Sequence, residues 1–277
     1  MNLTVTFESA ELQFKQILEE FFVSVYDEKS LVSHGIEHHR RVWNYSKELV
    51  VLLDTQNIIS DSSFVFKLII TCYLHDIGMS VDPGIRHGHH SSDLCLRFLK
   101  NNLLDKTKYQ DVLSAIENHD NKEYKTSATK IDLLGILSIA DDLDAFGYIG
   151  IYRYTEIYLT RGINLKEIGT KIKENASGRI DNFVKIFGFA DEFVRKHKKR
   201  YEILDNFFSE YNKQAATYKF GGVNPTGYCG VIEIFIKMIR NNIAIEDILW
   251  NTENYLNDPV IHYFLEGFVH EFEVDPS

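Results

Sequence analysis

Residues 63–78, SFVFKLIITCYLHDIG, are apolar almost all the way round and close on a histidine–aspartate pair. A helix with no solvent face belongs at the centre of a helical body. Gly78 stands where such a helix stops. The apolar run, near Phe64 to Leu74, contains Lys67 and is too short to span a bilayer. A charged Asp76 at the end of the most buried helix is costly unless it is paired or binds a metal.

Outward from this segment the pattern stays helical. Residues 9–26 read as an amphipathic helix through Leu12, Phe14, Ile17, Leu18 and Phe21. About 35–53 form a second, with Val42, Tyr45, Leu49 and Leu53 at helical spacing. Further helices are expected near 91–101, 109–119, 131–146, 151–161, 164–174, 179–213 and 230–243, with shorter pieces to 270. With no sustained period-two alternation and only 4 prolines, the fold class is all-α.

The 277 residues allow one large domain, or one domain with an appendage. A composition of 44% hydrophobic and 25% charged residues is that of a soluble globular protein. The net charge of -10 argues against a lasting DNA or RNA partner, but leaves a small phosphorylated substrate open. Cys72, Cys95 and Cys229 are too scattered for a disulfide framework or a thiolate zinc site. The opening MNLTVTFESAELQF lacks a basic stretch followed by an apolar one. The expectation is therefore a cytoplasmic protein without signal peptide or membrane partner.

Of the 11 histidines, eight lie between residues 34 and 119, each group at a helix edge beside carboxylates. HGIEHHRRV supplies His34, His38 and His39, with His38 on the inward face of Val42, Tyr45 and Leu49. LHDIG supplies His75 and Asp76, and IRHGHHSS supplies His87, His89 and His90. In AIENHD, Val112, Ile116 and His119 share a face. In LSIADDLDAFG, Leu134, Leu137, Asp141 and Asp144 line one stripe, so two acids sit on the apolar side of a core helix. Imidazole and carboxylate without thiolate suit Mn, Mg, Fe, Co, Ni or Zn, and helical bundles build metal centres from ligands on several helices.

With these motifs in this order, residues 34–147 resemble the HD superfamily of metal-dependent phosphohydrolases, whose signature is H…HD…D. The HxxRV opening matches His38-His39-Arg40-Arg41-Val42, and the HD doublet matches His75-Asp76. The closing element matches Ala140-Asp141-Asp142-Leu143-Asp144-Ala145-Phe146-Gly147-Tyr148-Ile149-Gly150. The resemblance implies that His38, His75, Asp76 and Asp141 hold a divalent metal ion. Members with a second metal add histidines before the last aspartate, which points to His87 and His119, with His90 a rival to His87. One or two ions per chain are thus expected. His87 and His119 match the HD-GYP-like phosphodiesterase pattern, but Asp120 replaces the second histidine of its pair and the GYP segment is absent, which argues against cyclic-dinucleotide activity. The implied domain layout is an HD-type helical metal-binding domain over 1–220, with its signature core at 34–150, and a C-terminal helical extension over 221–277. The loop FGGVNPTGYCG (220–230) separates them, or is an ordinary loop within one domain.

The implied chemistry is attack on phosphorus by a water that the metal makes acidic, with Asp76 able to take its proton. Arg41 and Lys122 are the expected cations for non-reacting phosphate oxygens. Two rival functions remain: an HD-fold di-iron oxygenase, and a catalytically silent nucleotide-binding regulatory module that can dimerise. Blander readings hold elsewhere. His34 and His39 read as surface or supporting residues, His89 as a solvent-facing loop residue, Asp144 as a supporting carboxylate and Cys72 as a buried small hydrophobe. RKHKKR (195–200) reads as a solvated helix face. The Gly-rich loop lacks the GK[ST] ending of a P-loop. Tyr152, Tyr154 and Tyr158 either pack or line the site mouth.

Overall fold

The computed structural model describes residues 2–26, 31–55, 61–121, 131–241, 243 and 257–274. Its helices are α1 (Leu3–Val25), α2 (Ile36–Asp54), α3 (Ser62–Leu74), α4 (His87–Asn101), α5 (Gln110–Asn118) and α6 (Leu133–Asp144). They continue as α7 (Gly147–Thr160), α8 (Leu165–Phe187), α9 (Asp191–Ala215), α10 (Gly227–Asn241) and α11 (Pro259–Val274). No strand occurs among the described residues, and the protein is an all-α bundle. None of these helices is long and apolar enough to cross a membrane.

The chain divides into two compact units, Met1–Asp144 and Ala145–Pro276. In the first, α3 packs against α1, α2, α4, α5 and α6. Leu68, Ile69, Ile70, Cys72, Tyr73 and Leu74 are fully buried, as expected of a helix without a polar face. Asp61 caps α3 by accepting from Ser63 N at 2.9 Å. In the second unit, α7 packs on α8, α9, α10 and α11, and α9 also packs on α8 and α10. Residues 216–226 connect α9 to α10 within this unit, so the expected loop at 220–230 ends early and Gly227–Gly230 already open α10.

Several helix ends differ from expectation. α1 begins at Leu3 rather than residue 9, capped by Asn2, whose side chain accepts from Val5 N. α4 begins at His87 rather than 91, so that residue opens a helix instead of sitting in a loop. α8 runs unbroken past the expected gap after 174. Its buried stripe, Ile168, Ile172, Ala176, Ile180, Phe183 and Phe187, carries the helix through Ser177 and Gly178. The break falls instead at Gly188–Ala190, where the stripe ends. The expected single helix over 131–146 stops at Asp144, and α7 starts at Gly147, whose φ is +75°.

Candidate metal centre

His75 and His119 occupy the same local position, the residue closing a helix. There each ring turns back on the last turn. His75 Nδ1 donates to Cys72 O at 2.9 Å, and His119 Nδ1 donates to Ile116 O at 2.7 Å. His87 does the same at the start of α4, donating from Nδ1 to Gly84 O at 2.7 Å. His38, on α2, donates from Nδ1 to Asp144 Oδ2 at 2.7 Å. A carbonyl or carboxylate oxygen only accepts, so each Nδ1 carries the proton. Each ring therefore turns its Nε2 to the other side, away from the oxygen that holds it.

The four Nε2 atoms converge in two groups about Asp76. His38 Nε2 and His75 Nε2 stand 3.1 Å apart. They lie 3.4 and 3.5 Å from Asp76 Oδ2, and Asp141 Oδ1 is 3.8 Å from His38 Nε2. On the other side, Asp76 Oδ1 lies 2.9 Å from His119 Nε2 and 3.4 Å from His87 Nε2, and those two nitrogens are 3.3 Å apart. Within each set, His38–His75–Asp76–Asp141 and Asp76–His87–His119, one donor atom per residue lies within 4.8 Å of every other. All six residues are buried. Asp76 belongs to both sets, one carboxylate oxygen toward each.

Two lone pairs at 3.1 Å repel unless something positive lies between them. Ligands about 2.1 Å from one ion stand roughly 3 Å apart when neighbouring, which is the spacing seen here. The donor set therefore fits a divalent metal ion, and the buried His/Asp cluster can bind one.

The electrostatics agree. Burial pushes Asp76 up, but the facing His75 and His119 outweigh it and hold its carboxyl well below the usual carboxylate range. Burial drives His75 down to about 3 against the pull of Asp76, so the imidazole stays neutral. Burial also opposes protonation of His119, but the carboxylate of Asp76 raises it above its ordinary value.

Behind the rings sits a supporting layer. Asp144 is clamped by Arg41, whose Nε donates to Oδ1 at 2.6 Å and whose Nη2 donates to Oδ2 at 3.1 Å. Arg41, expected at the phosphate oxygens, thus forks on to this carboxylate. Lys122, the other expected cation, lies outside the described residues. His39 is fully buried and donates from Nδ1 to the Cys72 carbonyl at 3.2 Å, the oxygen His75 also uses. His34 is buried too, its Nε2 3.9 Å from Asp76 Oδ2. Neither is a surface residue. The signal for His34 was its i, i+4 spacing to His38; nothing in the local sequence marked His39. His87, not His90, supplies the converging ring, and His89 is exposed beside Glu117 and Asp93. Asp120 Oδ2 is 3.9 Å from His87 Nε2. Cys72 matters through its carbonyl, for burial raises its thiol to about 12. Gly78 lets α4 approach: a Cβ there would lie 2.2 Å from His87 O and 2.4 Å from Ser91 N.

The family described as HD domain matches residues 35–145. This segment is an HD domain. No curated protein and no solved structure matches the chain. The HD domain spans α2 to α6 and contains all six converging residues. HD domains are generally metal-dependent phosphohydrolases. In the second unit, Arg195, Lys196, Lys198 and Lys199 of the basic run are exposed, while His197 and Arg200 point inward. Tyr152 and Tyr154 are buried on α7.

Proposed function

We propose that this chain is a metal-dependent phosphohydrolase that cleaves a small phosphoester, a nucleotide or another small phosphorylated compound. The observation that carries the reading is Asp76, whose two carboxylate oxygens face two separate groups of aimed imidazoles. His38, His75, Asp76 and Asp141 would hold one ion, and Asp76, His87 and His119 a second. An ion held there would supply Lewis acidity, lowering the pKa of water so that hydroxide is available near neutral pH, and positive charge to offset that on the phosphoryl oxygens. The protein's share is orientation. Four rings fixed through Nδ1 need no reorganisation when the ion binds. Asp76 and the partly exposed Asp120 are the carboxylates placed to accept a proton at an oxygen facing the second group. Arg41 acts through Asp144 and His38, as a positioning residue.

The test is a panel of phosphomonoesters, phosphodiesters and nucleotides, assayed with metal-stripped protein and after adding Mn, Mg, Fe, Co, Ni or Zn. Turnover that needs the ion and vanishes in Asp76→Ala supports the reading. No cleavage by the metal-replete protein across the panel ends it.

A second reading, a di-iron oxygenase, draws support from the same carboxylate shared between two groups of imidazoles. Iron in the isolated protein, with oxygen uptake in place of phosphate release, would favour it.

A further inference from the structure

Asp144 contributes to neither converging group, yet both of its oxygens are committed. Oδ2 accepts from His38 Nδ1 at 2.7 Å and Oδ1 from Arg41 Nε at 2.6 Å, with Arg41 Nη2 at 3.1 Å from Oδ2. His38 and Asp144 side chains are wholly buried and that of Arg41 nearly so. The other three rings rest on neutral backbone carbonyls: Cys72 O, Gly84 O and Ile116 O. Among the described residues, His38 is the one ring of the four whose Nδ1 meets an anion.

That difference has a chemical consequence. A carboxylate accepting from Nδ1 fixes the tautomer and makes Nε2 a stronger donor to a metal; a carbonyl does so less. Asp144 stands one turn beyond Asp141 on α6, so a loose carboxylate there would itself be a rival oxygen ligand. The forked guanidinium of Arg41 commits it to the back of His38. The two groups also differ in composition. The first has two carboxylates and two imidazoles, the second two imidazoles and only the shared Asp76.

We infer that Asp144, held by Arg41, is a positioning residue that makes the centre load in order. The ion at His38, His75, Asp76 and Asp141 binds first and is held firmly; the ion at Asp76, His87 and His119 binds second and exchanges. This rests on the proposed reading that both groups hold ions.

The experiment titrates metal-stripped full-length protein with Mn2+ alone and counts the free ion by its electron paramagnetic resonance signal. Wild type is expected to bind in two steps, the first at least about tenfold tighter. Asp144→Asn should weaken the first step by about 10–100-fold. His87→Ala should remove the second step and leave the first. In parallel, 15N spectra of the histidine rings in metal-free wild type should show the His38 proton on Nδ1, a signature that a merely structural role for Asp144 does not require. Wild type that binds no Mn2+ defeats the metal reading itself. Two steps of equal affinity, an unweakened first step in Asp144→Asn, or the His38 proton on Nε2 overturns the ordered-loading inference alone. Should Asp144→Asn not fold, the wild-type spectrum and the two-step titration still decide.

Discussion

The Glu271 carboxylate meets the Arg200 guanidinium through Oε1, 2.7 Å from Nη2, and turns Oε2 to the backbone N–H groups of Tyr148 and Ile149 that open α7. Arg200 Nη2 also donates to Phe146 O at 3.1 Å. A single carboxylate near the end of α11 thus caps α7 and neutralises an arginine of α9. Gly147 leaves the room: its φ is +75°, and a Cβ would lie 2.1 Å from Glu271 Oε1.

Removing that carboxylate strands a largely buried guanidinium and uncaps a helix. Glu271→Ala should therefore cost about 3–5 kcal/mol. Gly147→Ala, which adds a left-handed alanine to a steric overlap, should cost more than the roughly 1–2 kcal/mol of the backbone conformation alone. Urea unfolding of each variant against wild type gives the values. A loss under about 1 kcal/mol in Glu271→Ala would show that the pair contributes no more than a surface contact.

Gly78 controls how close α4 comes. In Gly78→Ala the new methyl meets the backbone at His87 and Ser91, which cannot yield as a flexible side chain does. We expect α4 to be displaced, carrying the His87 ring from its 3.3 Å approach to His119. In a Mn2+ titration the second binding step should weaken or vanish, with the first step at the His38 group retained. A second step as tight as in wild type would refute this.

Asp76 is shared, so its loss should act on both ions together. Asp76→Ala is expected to lower phosphoester turnover on the order of 10³-fold or more. Metal content should drop at both steps of a Mn2+ titration. Loss of only one step would mean that the carboxylate serves a single ion.

The pH dependence of the metal-free protein follows from its buried imidazoles. Burial holds His75 at about 3, and holds His39 and His197 well below the ordinary histidine value. An unfolded histidine takes up its proton near pH 6.5. As pH falls through that value, the unfolded chain gains protons that these folded sites refuse, so stability declines. His119, raised beside Asp76, works the other way: its contribution is complete below about 6.5 and fades as pH rises through its elevated value. Three strong depressions against one elevation give a net loss, and the urea midpoint should be lower at pH 5 than at pH 7.5. A flat or opposite trend would contradict this account.

Much of the HD domain could be read from the sequence because burial and charge conflict there so openly. An apolar helix ending in His75-Asp76, and an apolar stripe interrupted by Asp141 and Asp144, leave few explanations besides a metal. The inward face of His38, Val42, Tyr45 and Leu49 likewise followed from helical spacing, and all four are buried. What escaped depends on partners far along the chain. Arg41 is cationic and near the site, but only the fold brings Asp144, 103 residues later, against it. His39 lies a quarter turn from His38, and spacing alone could not reveal that Phe22 and the Cys72 carbonyl would enclose it. The continuity of α8 through Ser177-Gly178 was likewise decided by a packed stripe, against local propensity.

Three of the four imidazoles take their aim from main-chain oxygens three residues back in the same local turn. Their orientation is thus set by where helices end, not by which side chains surround them. A designer could repaint the walls of this cradle to admit a different substrate while its grip on those three rings stays as it was. Shifting a helix end by one residue would instead re-aim a ring, and no change of side chain nearby would restore it.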